Sequence, residues 1–386
     1  MKIASRMAGI EPFHVMELMA RAKALEAQGR DIIHMEVGEP DFPTPQPVID
    51  AAQRFIADGQ VFYTHALGLP QLREAIAGFY ASRYSVTVDP ARIVVTAGAS
   101  GALLLALGAL ISPGDEWLLA DPGYPCNRHF VRLLEGVPRP LNVAAATGFQ
   151  PTVEKVGAGW TAKTRGLLVA SPNNPTGTLI EPAELSRLWQ TVRARGGAMI
   201  VDEIYHGLTY GVDAATALTI ADDIIVINSF SKYFGMTGWR LGWLVVPPHL
   251  VRAIEKLAQN LYIAPSAPAQ HAALAAFAPE TIAILEARRE EFRARRDLLL
   301  PGLRKLGFRV GSEPQGAFYI YADSSALDRN SQALAGRLIE QAGVAATPGL
   351  DFGANAPAAH MRFAYTVNAA KLTTGLERMR RYFGGG

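Results

Sequence analysis

The chain has 386 residues, 49% hydrophobic and 19% charged, which is enough apolar material for a large core and too little charge for a disordered chain. Its 37 basic and 35 acidic residues leave a net charge of +2, so neither nucleic acid nor an anionic membrane is expected as a partner. The length excludes a short binding module and predicts two domains, or one large domain with a smaller one attached. The single cysteine, Cys126, cannot form an internal disulfide and falls short of a structural zinc set. Residues 1–10 carry no signal-like apolar stretch, and the longest apolar run, 102–111, is about half of a spanning helix. A cytoplasmic protein is therefore expected, and the closing glycines, 384–386, read as a frayed tail.

In chain order, apolar β-branched runs at Ile93-Val94-Val95, Trp117-Leu118-Leu119, Leu167-Leu168-Val169, Met199-Ile200-Val201 and Ile224-Ile225-Val226-Ile227 predict buried strands. Helical patterns lie between several of them, as at 101–110 and 182–195. Strands greasy on both faces, alternating with helices, predict an α/β fold with a mainly parallel sheet sandwiched by helices. Leu241 to Val246 is one more strand, of open direction. An amphipathic, arginine-rich helix runs on from Pro279 to Leu306, followed by short strands near Phe318-Tyr319-Ile320 and Met361-Arg362-Phe363. Residues 45–280 are read as the large domain. Residues 1–44 and 281–386 are read as a smaller α+β domain built from both chain ends.

In open parallel sheets, ligands bind beyond the carboxyl ends of the strands. After the run at 92–96 comes Ala97-Gly98-Ala99-Ser100-Gly101 and a helix start, whose free amides would hold a phosphate. After 167–170 comes Ser171-Pro172-Asn173-Asn174-Pro175-Thr176-Gly177. The run at 199–201 ends in Asp202, three residues before Tyr205. The run at 224–227 ends in Asn228-Ser229-Phe230-Ser231-Lys232, with Arg240 eight residues past the lysine. A phosphate cradle, a carboxylate, a lysine, a phenol and an arginine along one sheet edge fit pyridoxal 5'-phosphate. That cofactor needs a lysine for its aldehyde, an acid for its pyridine nitrogen and donors for its phosphate.

The two segments 171–177 and 229–242, with Glu36-Val-Gly-Glu-Pro-Asp-Phe42, Tyr63-Thr-His-Ala-Leu-Gly68 and His360-Met-Arg-Phe363, resemble the class I/II aminotransferases of fold type I. The resemblance spans nearly the whole chain. It implies that Lys232 forms the internal aldimine and then moves a proton between the substrate Cα and the cofactor. It implies that Asp202 pairs with the pyridine nitrogen, that Tyr205 and Asn174 reach the ring's phenolic oxygen, and that Tyr124 stacks on the ring. Ala99, Ser100, Ser229, Ser231 and Arg240 are its phosphate candidates, Arg240 by a two-pronged contact. Arg362 would take the substrate α-carboxylate, with Asn174 and Gly38 beside it, and Tyr63 would cross a homodimer interface to the partner's cofactor. Read without the family, Lys232 could be a surface lysine, Asp202 a strand-end aspartate capping the next turn, Tyr205 an ordinary half-buried tyrosine and Tyr124 a core or loop aromatic.

Gly98-Ala99-Ser100-Gly101 lacks the last glycine of a nucleophile elbow, and no nucleotide or zinc motif occurs. His206 reads as local structure. The leading expectation is transfer of an α-amino group from an amino acid to a 2-oxo acid through pyridoxamine phosphate. The rivals are a β-lyase acting on sulfur amino acids with the same constellation, and a cofactor-binding regulator, which would need a DNA-binding module ahead of residue 36. The resemblance aligns the stretch 261–271 with the family's partner-subunit contribution, and there it contains Tyr262 but no Arg or Lys, lacking the arginine known in aspartate enzymes. That favours uncharged, aromatic or broad donors over a strict aspartate enzyme, while Arg21, Lys23 and Arg128 stay unplaced.

Overall fold

The computed structural model describes residues 1–384; glycines 385 and 386 of the predicted frayed tail lie outside the described residues. The strands are β1 (Ile33–Met35), β2 (Ile93–Thr96), β3 (Glu116–Asp121), β4 (Val137–Asn142), β5 (Thr164–Ala170), β6 (Ala198–Asp202), β7 (Ile225–Ser229), β8 (Gly242–Val245), β9 (Tyr319–Asp323), β10 (Val344–Pro348) and β11 (His360–Ala364). Seven of them form one sheet in the order β2-β8-β7-β6-β5-β3-β4, and four form a second in the order β1-β10-β11-β9.

Alternate residues of the central strands enter two different cores. Ile93 and Val95 face one and Val94 the other; Met199 and Val201 oppose Ile200, and Val226 opposes Ile225 and Ile227. Each such aliphatic side chain contributes roughly 1.5–3 kcal/mol by leaving water, which is why every position of these runs is apolar. Helices Pro70–Tyr84, Pro182–Arg193 and Pro279–Lys305 pack in the first core, and Gly98–Leu110 and Val251–Leu261 in the second.

β8 runs antiparallel to both β2 and β7, while the remaining pairings of the large sheet are parallel. Edge strand β4 carries Pro138 and Pro140, which cannot donate to a ladder, and it is mostly exposed. Those prolines hide it from a reading based on buried β-branched runs. In the smaller sheet β1 pairs in parallel with β10, joining the two ends of the chain, and β11 lies antiparallel between β10 and β9.

Candidate active site

The carboxyl ends of β2, β5, β6 and β7 share one edge of the large sheet. Because β8 is reversed it begins at that edge, with Gly242 opposite Thr96 on one side and Ser229 on the other. A cavity of 560 Å³ lies there, walled also by Tyr319 of β9, Arg362 of β11 and the segments 13–16 and 37–39. Every site residue predicted from sequence lines it except Tyr63, which is 81% exposed.

At one end, Gly98 (φ +71°) opens the helix Gly98–Leu110, leaving the first-turn amides, those of Ala99 and Ser100 included, without intrahelical acceptors. A Cβ on Gly98 would sit 2.8 Å from Arg240 Nη2, and one on Gly242 2.9 Å from the backbone Ala99 N, so Gly242 is what lets β8 meet this helix start. Arg240 takes the left-handed region (φ +53°), a strained conformation for a side chain of this size, and Nη1 donates to the Thr237 carbonyl at 2.9 Å. Ser229 Oγ accepts the Ser231 N–H, donates to the Leu241 carbonyl and lies 3.0 Å from Ser231 Oγ. Both serines border the cavity, while Phe230 between them is fully buried.

In the middle, the Asp202 carboxyl at the end of β6 accepts the Ile204 N–H at 3.0 Å, and burial pushes it up to about 6. Tyr205 Oη is 3.0 Å from Tyr319 Oη, and burial raises the Tyr205 phenol well above its ordinary value. Lys232 Nζ donates to the Gly38 carbonyl at 2.7 Å. Burial lowers its ammonium to about 8, helped by the nearby charges of Arg362 and Arg240 and opposed by Glu39. At the far end, buried Arg362 donates through Nη1 to Asn174 Oδ1 (2.9 Å) and through Nη2 to the Glu36 carbonyl. Its guanidinium lies 4.2 Å over the Tyr319 ring. Its Nε is buried with no hydrogen-bond partner.

Residues 30–379 match the family described as aminotransferase class I and II. The chain is 38% identical to the valine–pyruvate aminotransferase of Mycobacterium tuberculosis, over 96% of both chains, and 34% identical to the aspartate/prephenate aminotransferase of Thermus thermophilus, over 99% of both. The crystal structure of an aminotransferase from M. tuberculosis superposes with a TM-score of 0.97 at 38% identity, covering all of both chains. This chain belongs to the class I and II aminotransferases. It is a pyridoxal 5'-phosphate-dependent enzyme that transfers amino groups between amino and oxo acids.

Other walls of the aminotransferase cavity escaped the sequence reading. Tyr319 shares a face of β9 with Tyr321, and only the strand, not its place over the site, is readable from the run at 318–320. Phe13, Val15 and Met16 come from the start of the helix His14–Glu26, which has no capping side chain next to it in sequence. His206 sits 3.2 Å from Tyr84 Oη, and burial pushes it down to about 3. Cys126 is half-buried, its thiol raised by burial. Among the described residues no helix is long and apolar enough to cross a membrane, and no cluster of His, Cys, Asp and Glu is arranged to hold a metal ion.

Proposed function

We propose that this aminotransferase takes its amino group from uncharged, largely apolar or aromatic amino acids, with Lys232 holding the cofactor aldehyde and moving the reacting proton. When bound, pyridoxal phosphate supplies an aldehyde that accepts the amino group and a ring that withdraws electrons from the substrate Cα–H bond. The cavity suits it: unpaired amides and a guanidinium at one end, a buried carboxyl in the middle and a lysine between them.

In this reading the Ala99 and Ser100 amides, Ser229, Ser231 and Arg240 hold the phosphate, and Asp202 keeps the pyridine nitrogen protonated. Tyr205 and Asn174 hydrogen-bond the phenolic oxygen, and Tyr124 covers the ring. Lys232, with its ammonium lowered to about 8, is neutral often enough near neutral pH to serve as a base. Arg362 and Asn174 grip the donor carboxylate, beside the backbone of Gly38. Residues 45–280 form the cofactor-binding domain in this view, and 1–44 with 281–386 the smaller one. Tyr63 would reach the partner's cofactor in a homodimer. Val61, Phe62, Tyr63, Leu261 and Ile263 are exposed apolar residues on two segments linked by the bond from Gln270 to Thr64, which supports a covered face there. A cytoplasmic location belongs to the same reading, from the lone cysteine.

The carrying observation is the cation set. The cationic side chains lining the cavity are Lys232, Arg240 and Arg362, each already given a task, and Glu39 adds negative charge at the rim. Arg21 is paired with Glu340, and Arg128 donates to the Asp351 carbonyl. The donor side chain would instead meet Phe13, Val15, Met16 and Val37. The relative named for valine and pyruvate points the same way; those named for aspartate, at 33–34% identity, point the other. Steady-state rates for leucine, methionine, phenylalanine, aspartate and glutamate with a common oxo acid test the reading. The expected kcat/KM is at least tenfold higher for the first three.

A further inference from the structure

The apolar wall just described hangs on a carboxylate far away in sequence. The helix His14–Glu26 begins after Phe13, which cannot cap it, so its first amides need acceptors from elsewhere. Asp351 supplies them for the first two: His14 N–H donates to Oδ1 at 2.8 Å and Val15 N–H to Oδ2 at 2.9 Å. Asp351 is 1% exposed, its negative charge faces the positive end of the helix dipole, and its own carbonyl accepts Arg128 Nη2 at 3.1 Å. Upstream, Arg132 Nη1 donates to the Gly9 carbonyl at 2.6 Å, and Phe13 meets the Tyr124 ring edge-on at 6.5 Å between centroids. Phe13, Val15 and Met16, at and beside the capped amides, line the cavity.

We propose that Asp351 is a positioning residue for donor selection: by capping this helix from a distance it fixes Phe13, Val15 and Met16 against the donor side chain. It touches neither cofactor nor reacting atoms. The inference rests on the reading of the cavity as the donor site, and it predicts an effect that grows with donor size. Alanine barely reaches the wall, whereas leucine or phenylalanine lies along it. Two charge-assisted bonds to orphan amides are at stake, so releasing them loosens the start of the helix.

Two variants of the holoenzyme approach the contact from opposite sides. Asp351→Asn removes the charge and one acceptor. His14→Pro removes one donor at the first helical position, where proline's fixed φ suits the helix and the extended backbone of Phe13 tolerates a following proline. Each should speed amide exchange in residues 10–17 about tenfold and raise KM for leucine and phenylalanine about tenfold. KM for alanine should stay within about twofold, with kcat little changed, and the double variant should fall short of the product of the singles. Unchanged exchange in both variants, or KM rising equally for all three donors, would overturn the proposal. Faster exchange in a protein that transaminates none of these donors would leave the cap standing and sink the donor reading instead.

Discussion

Arg362 and Asn174 share a hydrogen bond of 2.9 Å, guanidinium Nη1 to amide Oδ1, within the buried wall of the candidate active site. The two residues proposed to take the donor carboxylate are thus already coupled, and the unpartnered Nε of Arg362 leaves a donor in reserve. The Tyr319 ring under the guanidinium and the Glu36 carbonyl on Nη2 fix its plane.

Arg362→Lys replaces a planar fork by a point charge, so it should raise KM for amino donors roughly a hundredfold with cofactor content unchanged. Asn174→Ala should cost less, and a double-mutant cycle should show strong coupling because each single change breaks the same bond. Binding assays with cofactor absorbance as the control decide it; loss of cofactor with an unaltered KM would misplace Arg362.

A side chain at Gly38 would collide with Tyr319. A Cβ there would stand 1.7 Å from Tyr319 Oη and 2.8 Å from Tyr319 Cζ. Gly38→Ala should therefore lower kcat/KM at least about tenfold. Adding Tyr319→Phe should restore part of the loss by removing the nearer atom. An active Gly38→Ala enzyme would show that this wall yields.

Much of this was legible beforehand, for physical reasons. β2, β5, β6 and β7 are buried on both faces, so their apolar runs stand out, and the chemistry at their carboxyl ends follows from the parallel arrangement. The direction of β8 was not legible, because Leu241 to Val246 reads alike either way. Yet that direction is what carries Arg240 to the helix start at Gly98. β4 was hidden by its prolines, and the cap on His14 by the 337 residues separating it from Asp351. Tyr63 does not line the cavity of the single chain.

His34 offers a stability test. Its Nδ1 is 2.7 Å from the wholly buried Glu36 carboxylate, whose hydrogen bond lifts the imidazole to about 9 against the counteracting effect of burial. Glu26 assists from the other ring nitrogen. A pKa raised in the folded state means the stabilisation is complete below the unfolded value near 6.5 and is lost as pH rises through 9. For a half-buried ring it should amount to about 1–2 kcal/mol after solvent screening. Denaturation of wild type and His34→Gln should differ by that much at pH 6 and converge by pH 10; a constant gap would refute the pairing.

If Tyr63 serves the neighbouring subunit, Tyr63→Ala and Lys232→Ala dimers, each impaired for a different reason, should recover up to about a quarter of wild-type activity when mixed and reassembled. Heterodimers formed without recovery would mean that each site is built from one chain.

The most direct test is single-turnover release of 2-oxo acid from leucine or phenylalanine by the holoenzyme with no acceptor present, for wild type and Lys232→Ala. One equivalent of oxo acid per subunit from wild type, without free ammonia, and almost none from the variant on the same timescale is the predicted result. Equal release by both proteins, or ammonia and pyruvate from cysteine-type substrates in place of the oxo acid burst, would contradict it.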